Sequence, residues 1–152
     1  LADLGDLPAA RDHFERALAI SERTLGPGHP DVANSLNNIG AVLGDLGDLP
    51  AARAHFERAL AIREQALGPD HPDVATSLNN LGAVLLQQND FAGARAHSER
   101  ALGIVEAALV PEHPTTVLYR KNLAAVDEHI AAAEAAKSKK GRGKKRPRPG
   151  RS

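Results

Sequence analysis

The sequence predicts an all-α fold, a solenoid of stacked antiparallel helix hairpins. Three observations predict it: an internal repeat, apolar stripes at helical spacing within each copy, and prolines and glycines at helix boundaries. Asp6–Gly47 aligns with Asp48–Asn89 without a gap, and 31 of the 42 positions are identical. A third copy starts at Asp90 and fades toward the C-terminus. Ala17, Ala59 and Ala101 stay in phase, as do Ile20, Ile62 and Ile104, Pro30, Pro72 and Pro114, and Asn38, Asn80 and Asn122. One hairpin cannot bury its own apolar stripe, whereas stacked hairpins bury it continuously, which is why such sequences repeat.

Each period reads as two helices. The first expected helix, over residues 8–25, is the second helix of its hairpin. The next, 31–46, carries Val32, Leu36, Ile39, Gly40 and Leu43 at the 3.6-residue spacing of an amphipathic helix. Pro30 occupies its opening turn, where no N–H is required, and Gly47 just past its end can take the left-handed conformation. Asn89 replaces Gly47 one period later. Asp48 caps the helix 49–67, whose inner face holds Ala52, Phe56, Ala59, Leu60 and Ile62. Helices over 73–88 and 91–109 follow by repetition. No polar group stands on these stripes, and Gly40 and Gly82 with Ala17 and Ala59 are small enough for close helix approach. The last helix, 115–136, puts Arg120 and Asp127 where Leu78 and Leu85 stood, as a terminal cap facing water should. Residues 1–136 therefore form the array.

Residues 137–152 form a second, different segment. The chain is neutral overall, with nineteen Lys/Arg against nineteen Asp/Glu, but the tail holds nine of the basic residues and no acid. The array is acidic and the tail basic. With Gly and Pro breakers and no apolar residue, the tail is expected to be disordered. It could contact nucleic acid or another anionic surface through charge alone. The chain has no cysteine, which excludes disulfides and a Cys-ligated zinc. No apolar run approaches the roughly 20 residues of a transmembrane helix, and no signal peptide opens the chain, so a cytoplasmic location is expected. The absence of methionine points to a fragment or to a processed or trimmed chain, and a closing cap helix makes a C-terminal fragment the expectation. Leu1–Asp6 aligns with Leu43–Asp48, as if a preceding helix were missing, and helix 8–25 should then expose a face built to be covered.

The segments HPDVATSLNNLGAVL (71–85) and ARAHFERALAIREQALGPDHP (52–72) resemble the tetratricopeptide repeat, and within it the 42-residue kinesin-light-chain-like repeats. The resemblance covers residues 1 to about 130. It implies a superhelical solenoid whose first helices line a concave groove that holds an extended peptide, a protein-interaction scaffold with no enzymatic activity and no cofactor. Relatives of this kind in bacteria are commonly appended to signalling ATPases, so a second expectation is the sensor arm of an upstream effector. A third is nucleic-acid association through the tail. A bacterial source is expected from the heavy use of Ala, Arg, Gly, Leu and Asp.

Projecting the first helices at 100° per residue turns Asn34, Asn38, Ala41 and Asp45 away from the apolar side, with Asn37 on the shoulder. Asn37, Asn79 and Lys121 would form one row and Asn38, Asn80 and Asn122 another. Amides offer donors and an acceptor to any peptide backbone. The candidate groove residues are Asn34, Asn37, Asn38, Thr76, Asn79, Asn80, Lys121 and Asn122, with Gln87 as a tuning position. The alternative for the Asn pairs is that one member ties adjacent hairpins together. Six of the seven histidines are repeat copies a full period apart, without the i, i+4 spacing of a helical zinc site. The loop copies, His29, His71 and His113, are expected to pack or cap around the following proline. No metal ligand set and no nucleophile–base arrangement is visible.

Overall fold

A computed structural model describes residues 6–144. They form six helices: α1 (Leu7–Leu25), α2 (Pro30–Asp45), α3 (Leu49–Leu67), α4 (Pro72–Gln87), α5 (Phe91–Ala108) and α6 (Pro114–Gly143). Five of them match the expected bounds to within a residue. α6 does not end at 136. It continues through Gly143, so residues 137–143 are helical rather than disordered. Lysine is a good helix former, and Lys140 and Arg142 lie in the last turn, where cations oppose the negative end of the helix dipole. Residues 145–152, the rest of the expected disordered tail, lie outside the described residues.

The helix ends follow from local chemistry. His29, His71 and His113 each accept a hydrogen bond through Nδ1 from the backbone N–H two residues on, at 3.1 Å. The intervening proline has no N–H to cap, so the imidazole reaches past it. The loop histidines are helix caps. Asp48 and Asp90 cap α3 and α5 by accepting from Ala51 and Gly93 at 3.3 and 3.1 Å. At the end of α2, Asp48 N–H reaches Leu43 O and Gly47 N–H reaches Gly44 O, with Gly47 at φ 83°. Asn89 repeats this geometry after α4 at φ 61°, the left-handed conformation that asparagine tolerates best after glycine.

Every helix packs on its sequence neighbours, and the backbone of α2 also approaches α4 and that of α4 approaches α6, whereas the backbones of α1, α3 and α5 stay farther apart and meet only through side chains. The core crosses the hairpin boundaries. Ile39 and Leu43 of α2, Ala52 and Phe56 of α3, and Leu81 and Val84 of α4 form one cluster. Val74, Leu78, Ala101, Ile104 and Tyr119 form the next. No strand occurs among the described residues.

The two ends of the stack differ. On α6, Arg120 is exposed and pairs back to Glu106 of α5 at 2.9 Å, while Asp127 pairs with Arg95 at 2.8 Å. The positions that are buried leucines in α4 become ion pairs at a wetted face. α1 is covered on one side only: Phe14 and Leu18 pack on the core, while Ile20 is 65% exposed, against 8% and 6% for its equivalents Ile62 and Ile104.

Candidate functional site

The helices α2, α4 and α6 lie side by side and carry the eight candidate residues. Asn38, Thr76 and Lys121 are exposed and Asn80 is half-buried. No ion pair among the described residues engages Lys121. Other candidates are engaged internally. Asn122 Nδ2 donates to Asn79 Oδ1 at 2.8 Å, so an amide of one row bonds across to the other row in the preceding hairpin. One module earlier, the equivalent Oδ1 of Asn37 is buried without a hydrogen-bond partner. At the Asn79–Asn122 step the pairing therefore ties hairpins together.

Asn34 is held by a residue that the sequence reading missed. Arg63, on α3, is 6% exposed. Its Nη2 donates to Asn34 Oδ1 at 2.9 Å, and its Nη1 donates to Ser77 Oγ at 2.8 Å and Asp73 O at 3.1 Å. One guanidinium thus joins α3 to both α2 and α4. Burial holds its pKa below the ordinary arginine value, opposed by the charge of Asp73 and by Tyr119. Burial also raises the Tyr119 phenol, against a hydrogen bond with Thr76 and the charge of Arg63. The expectation of purely apolar stripes is corrected here, since Arg63, Ser77, Ser98 and Thr116 are all buried. The available signal was a break in period: Ser21 and Val105 stand where Arg63 does.

Two depressions open between the first helices, one period apart. Gly40, Ala41, Phe56, Asn80, Ala83 and Val84 line the first, a broad shallow recess of about 430 Å3 that also reaches Asp45 and Gln87. Gly82, Ala83, Ser98, Asn122, Ala125 and Val126 line the second, a more enclosed cleft of about 120 Å3 with Asn79 and Leu86. Exposed ion pairs lie on the opposite layer. Arg58 bonds Glu22, and Arg100 bonds Glu64 at 2.6 Å, linking successive second helices at a wetted surface where such pairs contribute little. Among the described residues no three metal-binding side chains cluster, and no helix is long and apolar enough to cross a membrane.

Hairpins of equal length stacked in register, with cores shared across their boundaries, define a helical repeat array. The tetratricopeptide repeat family profile matches residues 1–65 and 31–107, and the chain belongs to that family. No curated protein matches it in sequence. Among solved structures it is similar to BtubC (BKLC) from P. vanneervenii, at 24% identity and a TM-score of 0.75 over 97% of this chain and 62% of that one. A candidate kinesin light chain of Podosopora anserina with nearly identical TPR-like repeats matches at 23% identity and a TM-score of 0.78, over 87% of this chain and 63% of that one. The chain thus spans about three fifths of either structure, and at these identities the likeness establishes the fold. It agrees with the kinesin-light-chain-like repeat pattern. Tetratricopeptide arrays are generally protein-interaction scaffolds and typically not enzymes.

Proposed function

We propose that the chain binds an extended peptide or a protein segment along the face formed by α2, α4 and α6. The observation that carries this reading is the one-sided contact pattern. The backbones of successive first helices approach one another, whereas successive second helices are joined only through long side chains such as Arg58–Glu22 and Arg100–Glu64, which favours a stack drawn in on the first-helix side. Asn38 and Asn80 are left there with amides that make no hydrogen bond to another described side chain, beside recesses with small-residue walls. Amide groups at a regular spacing along such a face suit the repeating N–H and C=O groups of an extended backbone.

A displayed library of random dodecapeptides selected on the chain provides ligands for the test. The double variant N38E/N80E removes two donors and sets carboxylates against peptide carbonyls. Its affinity for those ligands is expected to fall by about tenfold to a hundredfold, from two lost hydrogen bonds of about 1 kcal/mol each and added repulsion. Its circular dichroism should not change, because Asn38 is exposed and Asn80 half-buried. Unaltered affinity would remove the groove reading.

A second reading has its own observation. Lys137, Lys139, Lys140 and Arg142 stand on an exposed helical extension of α6 with no apolar face, which fits a polyanion such as nucleic acid held by charge. Affinity for duplex DNA should fall linearly on a log–log plot against salt, and deleting residues 137–152 should flatten that slope. Equal binding before and after deletion dismisses this reading.

A further inference from the structure

We infer that the cleft over Ser98 receives a phenylalanine side chain of an extended peptide laid across α4 and α6. The inference rests on the groove reading above and assigns its specificity. Phe14 and Phe56 occupy equivalent positions in the first two periods, and Ser98 breaks the series. The preceding module shows what the break leaves behind. There the Phe56 ring is 4% exposed and lies against Gly40, so close that a Cβ on Gly40 would sit 2.7 Å from Cε1. Around it stand Ile39, Leu43, Ala52, Leu81 and Val84. One period on, the corresponding residues are Leu81, Leu85, Ala94, Leu123 and Val126, all apolar and nearly the same in shape.

Only the ring itself is gone. Ser98 places a single oxygen where phenylalanine carries six ring atoms, and a Cβ built on Gly82 would meet that Oγ at 2.8 Å. Beside that oxygen lies the enclosed cleft of about 120 Å3, near the roughly 150 Å3 of an apolar cavity that takes benzene. Exposed Ala83 of α4 and half-buried Ala125 of α6 are among its lining, and the Asn79–Asn122 bond lies at its wall. The fold thus carries a socket for an aromatic ring beside Asn79 and Asn122, whose mutual bond leaves Asn79 Nδ2 and Asn122 Oδ1 without a side-chain partner among the described residues and able to meet a peptide backbone. In the first recess Phe56 itself forms part of the lining and what lies above it is broad and open, so the more enclosed socket belongs to the Ser98 module.

The experiment compares the full chain with S98F, which restores the periodic residue among neighbours that already accept it, and with A125L, which narrows the mouth from the half-buried side. Dodecapeptide ligands selected on the parent chain are expected to carry phenylalanine at one fixed register. They should bind S98F and A125L at least about tenfold more weakly, the loss of one buried aromatic side chain, while S98F melts at the same temperature or higher. Ligands without that enrichment, or with equal affinity for both variants, overturn the socket and leave the groove standing if N38E/N80E still loses them. Failure to select any ligand, or ligands indifferent to N38E/N80E, overturns the groove and the socket with it.

Discussion

An Arg63→Ala chain is expected to be less stable by about 3 kcal/mol, the size associated with removing one partner from a buried charged hydrogen-bond network. The guanidinium donates to three acceptors on two helices. Asn34 lies near solvent and can re-pair with water. Ser77 is fully buried, so its hydroxyl loses the donor and keeps the desolvation cost, and the vacated volume adds a cavity cost. Arg63→Met fills the volume without restoring the bonds, so it should lose less. Arg63→Met with Ser77→Ala should recover part of the remainder, since the orphaned hydroxyl is then gone. Because the clamp joins adjacent hairpins, and stability in such arrays is a sum of module and interface contributions, the loss should also broaden the urea transition. A change in stability below about 0.5 kcal/mol, within the range of ordinary surface substitutions, would show that the network contributes nothing net.

A single methyl at Gly40 is expected to cost more than it contributes. Alanine improves intrinsic helix propensity by about 1 kcal/mol, but its Cβ would sit 2.7 to 3.0 Å from three atoms of the Phe56 ring. That ring is boxed in by Leu81 and Val84 and cannot step aside without spreading α2 from α3. Overpacking of this kind costs about 1–3 kcal/mol, so Gly40→Ala should destabilise by about 1 kcal/mol net. Two other glycines calibrate the result. Gly82→Ala meets only the Ser98 hydroxyl inside 3 Å and should be near neutral. Gly103→Ala, on an exposed face of α5 with nothing within 4 Å, should be stabilising. Thermal melts of the three would test the order, and a Gly40→Ala chain as stable as Gly103→Ala would contradict the close contact.

Much of the architecture was legible because repetition makes local signals redundant. Pro30, Gly47 and Asp48 each mark a helix boundary by backbone chemistry alone, and their copies 42 residues on say the same thing. The capping role of the loop histidines was within reach for that reason. The end of α6 is not legible in this way, because a basic stretch with Gly and Pro breakers and no apolar residue carries no local helix signal, while a helix already nucleated by packing needs little to continue through lysines.

The candidate face was legible in its placement but not in its bonding. A helical projection puts Asn79 and Asn122 in separate rows, yet they bond to each other across a hairpin boundary, and Asn34 is taken by Arg63. Pairing of this kind depends on the offset between neighbouring hairpins, which no helix encodes by itself.

By itself, the order of residues determined the number of helices, their ends apart from that of α6, the face each one buries and the stacking of equal units, because caps, stripes and period act over a few residues at a time. Only the tertiary structure decided which polar groups are consumed internally, that Arg63 is buried, and that an enclosed cleft lies beside Ser98. Those outcomes depend on distances between helices far apart in the chain, where a shift of about an ångström separates a hydrogen bond from none.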